Sequence, residues 1–398
     1  MEDRQFLDFY NKHKIIPVAQ EINQKHLSRR QYLYRTLGLN QYDNDSKIKI
    51  LEIGPGTGDN AVATNKIFNS QITFIDGNQS SISAINAKIK NGILPIDTKI
   101  INYDFLEYSS KNISDDSKFQ LVLCEGTIPG QNKPKLFADK VLQFVASEGR
   151  AVFTCADVFS LLPELLRRLW RPHLIKLEFK EAIKKGVEIF EPHLKNLPEM
   201  SRSYEDWVAD QILNTWAKRG WQFSVSDAIE TAQKNDMFYL GSSPSFVEDW
   251  IWYKEALNTP NYYNQLALKE WENKKIFLLD KRLHPISKYD LRELNIIKFS
   301  DVLYKISNFV SDVTCVDDYE YSEKDFIYLD ELISQLIKII KKGELSIFLE
   351  ETLKSIVSFK RYWKNIYEGI DNKDEEDFQR WWGRGTVYLS FEKSRLIK

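Results

Sequence analysis

The sequence predicts an α/β protein built on a doubly wound, largely parallel sheet. Three observations predict it. Short apolar strand patterns alternate with helical ones through residues 47–155. A glycine-rich loop joins the first of those strands to a helix. An acidic residue then closes each of the next two strand segments.

In order along the chain, residues 1–45 read as helices that cap the α/β core. Leu33 and Leu37 share one helical face there, and Gly38 can end the helix. KIKILEI (47–53) is the first strand and AVATNKIF (61–68) the helix after its loop. QITFID (71–76) is the second strand and SSISAINAKI (80–89) the second helix. KIINYD (99–104), FQLVLCEG (119–126) and GRAVFTC (149–155) are further strands, with the helix KPKLFADKVLQFV (133–145) before the last. After Cys155 the alternation stops. Residues 157–218 read as helical and carry a basic stretch at 167–185. MFYLGSSP (237–244) is a strand candidate. From about 262 to 370 the pattern is again helical. Leu329, Leu332, Ile333, Leu336, Ile337 and Ile340 recur at helical spacing, as do Leu345, Phe348, Leu349, Leu353 and Ile356, with Gly343 between the two helices. GRGTVYLSFEK (383–393) reads as a closing strand. The expected division is a helical cap (1–45), a ligand-binding core (46–156), a helical and strand segment beside the acceptor (157–261), a helical insertion (262–375) and a strand completing the core sheet (376–398).

A length of 398 residues suits two or three compact units. The formal net charge of −2 offers no overall basic footprint, so no nucleic-acid partner is expected. Cys124, Cys155 and Cys315 form no CxxC pair and no metal-ligand spacing, so no metal is expected. The charged N-terminus lacks a signal-peptide core, and no run reaches the ~18 apolar residues of a membrane span. A reduced, cytoplasmic setting is the expectation, with peripheral contact to a membrane or lipid-linked substrate left open. Every tryptophan lies at or beyond Trp170. They fill the core between helices, or a few line a substrate cleft.

The most informative segment is ILEIGPGTGDNA, residues 50–61. Glycines at 54, 56 and 58 let the backbone turn tightly and let a ligand approach it. A dinucleotide fingerprint would require glycine at the sixth position of GxGxxG, and Asp59 stands there. A phosphate loop would require Gly-Lys-Ser/Thr, and Gly58 is followed by Asp59. Glu52 precedes Gly54 by two residues, Asp76 ends the second strand, and Asp104 ends the third. A carboxylate at the tip of the second strand can accept both hydroxyls of a ribose.

This series resembles the first motif, (D/E)xGxGxG, and the following strand-end acids of class I methyltransferases that use S-adenosylmethionine (SAM). The resemblance implies a Rossmann-like doubly wound sheet with an N-terminal helical cap and a large helical insertion before the last strand. It implies SAM as the cofactor, contacted by Glu52, Gly54, Gly56, Gly58, Asp76 and Asp104, with Asp104 beside the adenine amino group. SAM carries an ammonium, a sulfonium and a ribose diol, which suit acidic residues better than a pyrophosphate would. In this fold the sheet finishes with an antiparallel hairpin, so MFYLGSSP or a neighbouring segment is expected to be its first strand and GRGTVYLSFEK its second. The chain lacks the (D/N)PP(Y/F) tetrapeptide of methyltransferases acting on amino groups of DNA, glutamine or adenine.

The segments FYNKHKIIPVAQEI, HLSRRQYLYRTLGL, CEGTIPGQ, MSRSYEDWVADQIL, MFYLGSSPSFVEDW and FQRWWGRGTVYLSFEK together resemble bacterial class I methyltransferases found among cell-surface polysaccharide genes. That resemblance implies a small-molecule or glycan acceptor, with methyl transfer to a sugar hydroxyl; the alternatives are N- or O-methylation of another small molecule or of a protein side chain, and a protein that binds SAM without catalysis. A hydroxyl acceptor calls for a base, and His193, Asp157 and Glu125 are the candidates, with His173 behind them. Asp157 can instead cap a helix, and His193 can be a packed or surface histidine. The basic stretch is a solvated helix face or a phosphate-facing one. Arg29 and Arg30 can reach a carboxylate or phosphate over the cleft.

Overall fold

A computed structural model describes residues 5–15, 21–40, 47–112, 118–197, 200, 202–214, 223–248, 254, 260–283, 296–342, 345–370 and 375–394. Two helices come first, α1 (Gln5–His13) and α2 (Gln24–Thr36). The alternating part then runs β1 (Ile48–Ile53), α3 (Asp59–Ile67), β2 (Ser70–Asp76), α4 (Gln79–Lys90), β3 (Lys99–Asn102), α5 (Phe105–Asn112), β4 (Phe119–Cys124), α6 (Pro134–Leu142) and β5 (Val145–Cys155). Helices α7 (Val158–Arg167), α8 (Arg171–Leu174), α9 (Phe179–Leu194) and α10 (Tyr204–Trp207) come next. After them stand α11 (Val225–Lys234), β6 (Met237–Ser243) and α12 (Pro260–Lys274). The chain ends with α13 (Ile296–Thr314), α14 (Glu323–Ile340), α15 (Leu345–Phe348), α16 (Glu350–Glu368), α17 (Glu376–Arg380) and β7 (Val387–Lys393).

The seven strands form one sheet in the order β3-β2-β1-β4-β5-β7-β6. The first five are parallel; β7 is antiparallel to both β5 and β6. The order reverses beside β1, which pairs with β2 on one side and β4 on the other. In such sheets ligands bind at the carboxyl ends of the strands flanking this switch point. This is a Rossmann-like doubly wound sheet, finished by the expected antiparallel hairpin. β1 and β4 carry near-continuous apolar runs because both their faces are covered. Ile50, Leu121, Leu123 and Val152 pack there with Ile72 and Phe74 of β2 and with Tyr34 and Leu37 of the N-terminal region. Helix α5 was not anticipated: FLEYSSKN shows little apolar periodicity and is started by a capping side chain.

The chain separates into two compact units. The sheet unit comprises Met1–Ala156, Gly220–Glu272 and Thr386–Lys398; the helical unit comprises Asp157–Arg219 and Asn273–Gly385. Residues 157–261, expected as one segment, are thus shared between the two, and each unit is made of chain pieces distant in sequence. Gly343 lies outside the described residues, as do parts of the segments around 16–20, 249–259 and 284–295.

Within the helical unit, the basic stretch is neither a solvated face nor a phosphate-facing one at its start. Arg167, Arg168 and Arg171 are fully buried. The Arg167 guanidinium donates to the carbonyls of Pro163, Phe378 and Trp381 at 2.8, 3.0 and 2.9 Å, and lies 3.9 Å over the Trp382 ring. Arg168 donates to the carbonyls of Gln211 and Asn214. Arg171 donates to Leu213 O and pairs with Asp317 at 2.6 Å. Helix α7 buries nearly every side chain it has, so the Arg167 guanidinium meets backbone carbonyls and rings in place of water. Trp170, Trp207, Trp271, Trp363, Trp381 and Trp382 are all buried, which makes them core residues. Trp216, Trp221, Trp250 and Trp252 lie outside the described residues.

Candidate functional site

The site is built where β1 ends. Its last residues lead into Gly54, whose N–H still bonds Ile75 O of β2 at 2.9 Å before the chain turns away. Gly54, Gly56 and Gly58 all have positive φ, at 65, 57 and 77°. At Gly54 a Cβ would stand 2.1 Å from Thr127 Oγ1, so both the conformation and the close approach exclude a side chain. Asp59, which breaks the dinucleotide fingerprint, serves the loop itself. It accepts from Thr57 Oγ1 at 2.6 Å and pairs with Lys88 at 3.0 Å, while Lys88 also donates to Thr57 O.

Glu52 lies inside β1, only 3% exposed. Its Oε2 is buried with no hydrogen-bond partner. Burial, and then the nearby charge of Glu125, push its pKa up to about 8, against the pull of Arg30. Asp76, at the carboxyl end of β2, accepts from Asn78 N at 2.8 Å. Burial raises its pKa to about 6, while hydrogen bonds from the Asn78 and Gly56 backbones act the other way. Glu52, the three glycines and Asp76 therefore converge around one loop. Asp104 stands two residues beyond β3 and accepts from Glu107 N at 3.1 Å, which starts α5.

Helix α2 adds charge from the N-terminal region. Arg30, 5% exposed, forks onto Glu125 with bonds of 2.7 and 2.6 Å. It also donates to Tyr34 Oη, which in turn meets Thr64 Oγ1 of α3 at 2.5 Å. Asn60 of α3 approaches the same Glu125 oxygen at 3.4 Å. Two buried carboxylates, Glu52 and Glu125, thus share the neighbourhood of one arginine, and Glu125 takes it. Of the two arginines read as able to reach a carboxylate, Arg30 holds the internal one of Glu125 with its two terminal nitrogens, and Arg29 is exposed.

The three candidate bases sit in three different environments. Glu125 is held in that two-pronged ion pair. Asp157 is the N-cap of α7, accepting from Phe159 N at 2.9 Å within a reciprocal capping box with Ser160. His193 is 2% exposed inside the helical unit. Its Nδ1 accepts from Arg167 Nε at 3.2 Å, and its ring meets Phe190, Tyr362 and Phe378. Burial, and then the Arg167 charge, hold its pKa well below the ordinary histidine value. Each of the three is engaged in holding the fold. His173 likewise binds Ile366 O at 2.6 Å. The sequence pattern gave no sign of Glu164 on α7. Its Oε2 is buried without a hydrogen-bond partner, and burial pushes its pKa up to about 7 against the charges of Arg167 and Lys281. His26, Tyr34 and Asn60 were not anticipated either. The four-residue steps His26, Arg30 and Tyr34 are the signal that marks one face of α2.

Among the described residues no group of three or more His, Cys, Asp or Glu side chains is arranged to hold a metal ion. Among them, too, no helix is long and apolar enough to cross a membrane.

No family model matches the sequence, and no curated protein matches it. Several solved structures are similar to it. One is a protein assigned as a sarcosine dimethylglycine methyltransferase from Galdieria sulphuraria, 10% identical, with all of both chains covered and a TM-score of 0.38. Another is the magnesium protoporphyrin IX methyltransferase of Synechocystis PCC 6803 with bound S-adenosylhomocysteine, 11% identical over 61% of this chain and 89% of that one, at 0.34. A third is a (4+2) cyclase, 10% identical over 99% of this chain and 94% of that one, at 0.37. Scores of this size leave the chemistry to the chain's own residues, since one fold hosts many reactions.

Proposed function

We propose that the chain is a SAM-dependent methyltransferase whose donor site is the loop after β1. The observation carrying this is Glu52. A buried carboxylate oxygen with no partner, set behind three positive-φ glycines, calls for a cationic donor from a ligand. The methionine ammonium of SAM answers that need, and the ribose diol answers the strand-end carboxylate of Asp76. The residues present therefore fit the cofactor. Gly54, Gly56 and Gly58 leave room for the ligand to lie against the main chain, and Asp104 stays the candidate for the adenine edge. When bound, SAM supplies a methyl group activated on a sulfonium. The chain's own task is to hold an acceptor in line with that carbon and exclude water.

The acceptor class rests on the resemblance carried by the sequence segments, and we keep it as the finer proposal: a sugar hydroxyl on a glycan or glycan precursor. The buried tryptophans lend it no support. Of the three candidate bases, Glu125 alone belongs to the same unit as the donor loop, while Asp157 and His193 fall in the helical unit. Proton removal by Glu125 would require it to give up part of its ion pair with Arg30. The test is direct. Purified protein is titrated calorimetrically with S-adenosylhomocysteine, then incubated with labelled SAM and candidate glycans, and the methyl is located by mass spectrometry. Binding that disappears in Asp76→Ala supports the donor site. No binding by the unaltered protein rejects it, and label on an amine or protein side chain rejects the glycan assignment alone.

A further inference from the structure

Glu52 is not the sole polar group left unsatisfied around Glu125. Arg30 Nε and His26 Nε2 are also buried without hydrogen-bond partners. Both belong to α2, four residues apart and so on one helical face. Their placement is fixed from two sides. Arg30 is tied to Glu125 just beyond β4, and Tyr34, four residues further on, is tied to Thr64 of α3. His26 lies one helical turn before Arg30 on the same helix and within reach of the charges of Arg30, Asp59 and Glu125. Burial and then Arg30 lower its pKa, so the ring is neutral near pH 7 and can present an Nε2–H. The site therefore offers an unpaired acceptor from β1 and two unpaired donors from α2. A ligand fragment that satisfies both sets carries a cation and an anion close together, as an α-amino-acid head does.

We propose that α2 reads the carboxylate of the ligand's amino-acid head through Arg30 Nε and His26 Nε2, while Glu52 takes the ammonium. This rests on the donor site proposed for the loop after β1 and adds to it the N-terminal helix as a specificity element. It makes the site selective for nucleosides bearing the whole zwitterion.

The experiment compares two ligands on the full chain by calorimetry: S-adenosylhomocysteine, and methylthioadenosine, which keeps the nucleoside and sulfur but lacks the amino-acid head. His26→Ala is expected to weaken S-adenosylhomocysteine about tenfold, the loss of one hydrogen bond to a charged group, and to leave methylthioadenosine unchanged. Arg30→Lys keeps a cation for Glu125 but has no Nε–H, and should give the same selective loss. An equal loss for both ligands means α2 acts only through the fold, and overturns the proposal. So does undiminished S-adenosylhomocysteine binding in both variants. Failure of the unaltered protein to bind either ligand overturns the donor site itself, which separates the two conclusions.

Discussion

Glu52 sets the pH behaviour of the donor site. Its folded pKa, about 8, lies above the ordinary 4.5. Between those values the unfolded chain has released the proton while the native protein keeps it. Stability from this group is therefore complete below the ordinary value and falls as pH rises towards about 8. Glu52→Gln removes that loss, and we expect it to raise the melting temperature at neutral pH by an amount worth on the order of 2 kcal/mol. The same variant should lose S-adenosylhomocysteine binding. In the unaltered protein a bound ammonium favours ionised Glu52, so calorimetric affinity should climb as pH approaches about 8, then fall as the ligand's own ammonium deprotonates. An affinity flat across that range would remove Glu52 from the site. Gly54→Ala drives a Cβ onto Thr127 Oγ1 in a left-handed backbone. It should cost about 2 kcal/mol in denaturant unfolding and abolish binding.

At the scale of elements, two features govern. The first is β7, whose residues pair with β5 from Arg150 to Cys155 and with β6 from Met237 to Ser243. Arg150 also pairs with Glu392 at 2.6 Å, tying the strand's end. Truncation before Thr386 therefore opens the sheet between β5 and β6, and circular dichroism should report loss of the sheet unit's cooperative unfolding. Retained ligand binding in the truncated chain would contradict the strand order. The second is α7 with its arginine. Arg167→Met leaves several buried carbonyls without donors and should destabilise the helical unit by about 3 kcal/mol or more. The strands and the glycine loop were legible because each arises from a local pattern, whereas the closing hairpin, whose strands Met237–Ser243 and Val387–Lys393 are distant in the chain, was expected only from the resemblance. The burial of Arg167, Arg168 and Arg171 was not. A basic run reads as solvated only if its helix has a wet face, and α7, the turn Arg168–Trp170 after it and the start of α8 have almost none.

For the whole molecule, charge is the broadest determinant. A net charge of −2, with three arginines of the basic stretch withdrawn from solvent, leaves interspersed Lys176, Glu178, Lys180, Glu181, Lys184, Lys185 and Glu188 on the outside. Such a mixed surface steers neither nucleic acid nor anionic membranes strongly. We expect elution from heparin at low salt and no shift of duplex DNA in a gel. The division into two units, each drawn from separated stretches, also means that neither can be expressed as one continuous segment.

By itself the sequence determined the parallel core, the loop that no dinucleotide or phosphate motif explains, and the acids at the strand ends. These depend on residues near one another in the chain, where glycine, alternation and spacing have direct conformational meaning. Tertiary structure alone decided which charges are engaged. Glu125 is held by an arginine 95 residues away, and Arg167 caps a carbonyl 211 residues away. Burial brings such groups together, and once out of water each must find a partner. That requirement engages the three candidate bases, Glu125, Asp157 and His193, with partners inside the fold, and leaves the oxygen of Glu52, with two nitrogens of α2, for the proposed ligand to satisfy.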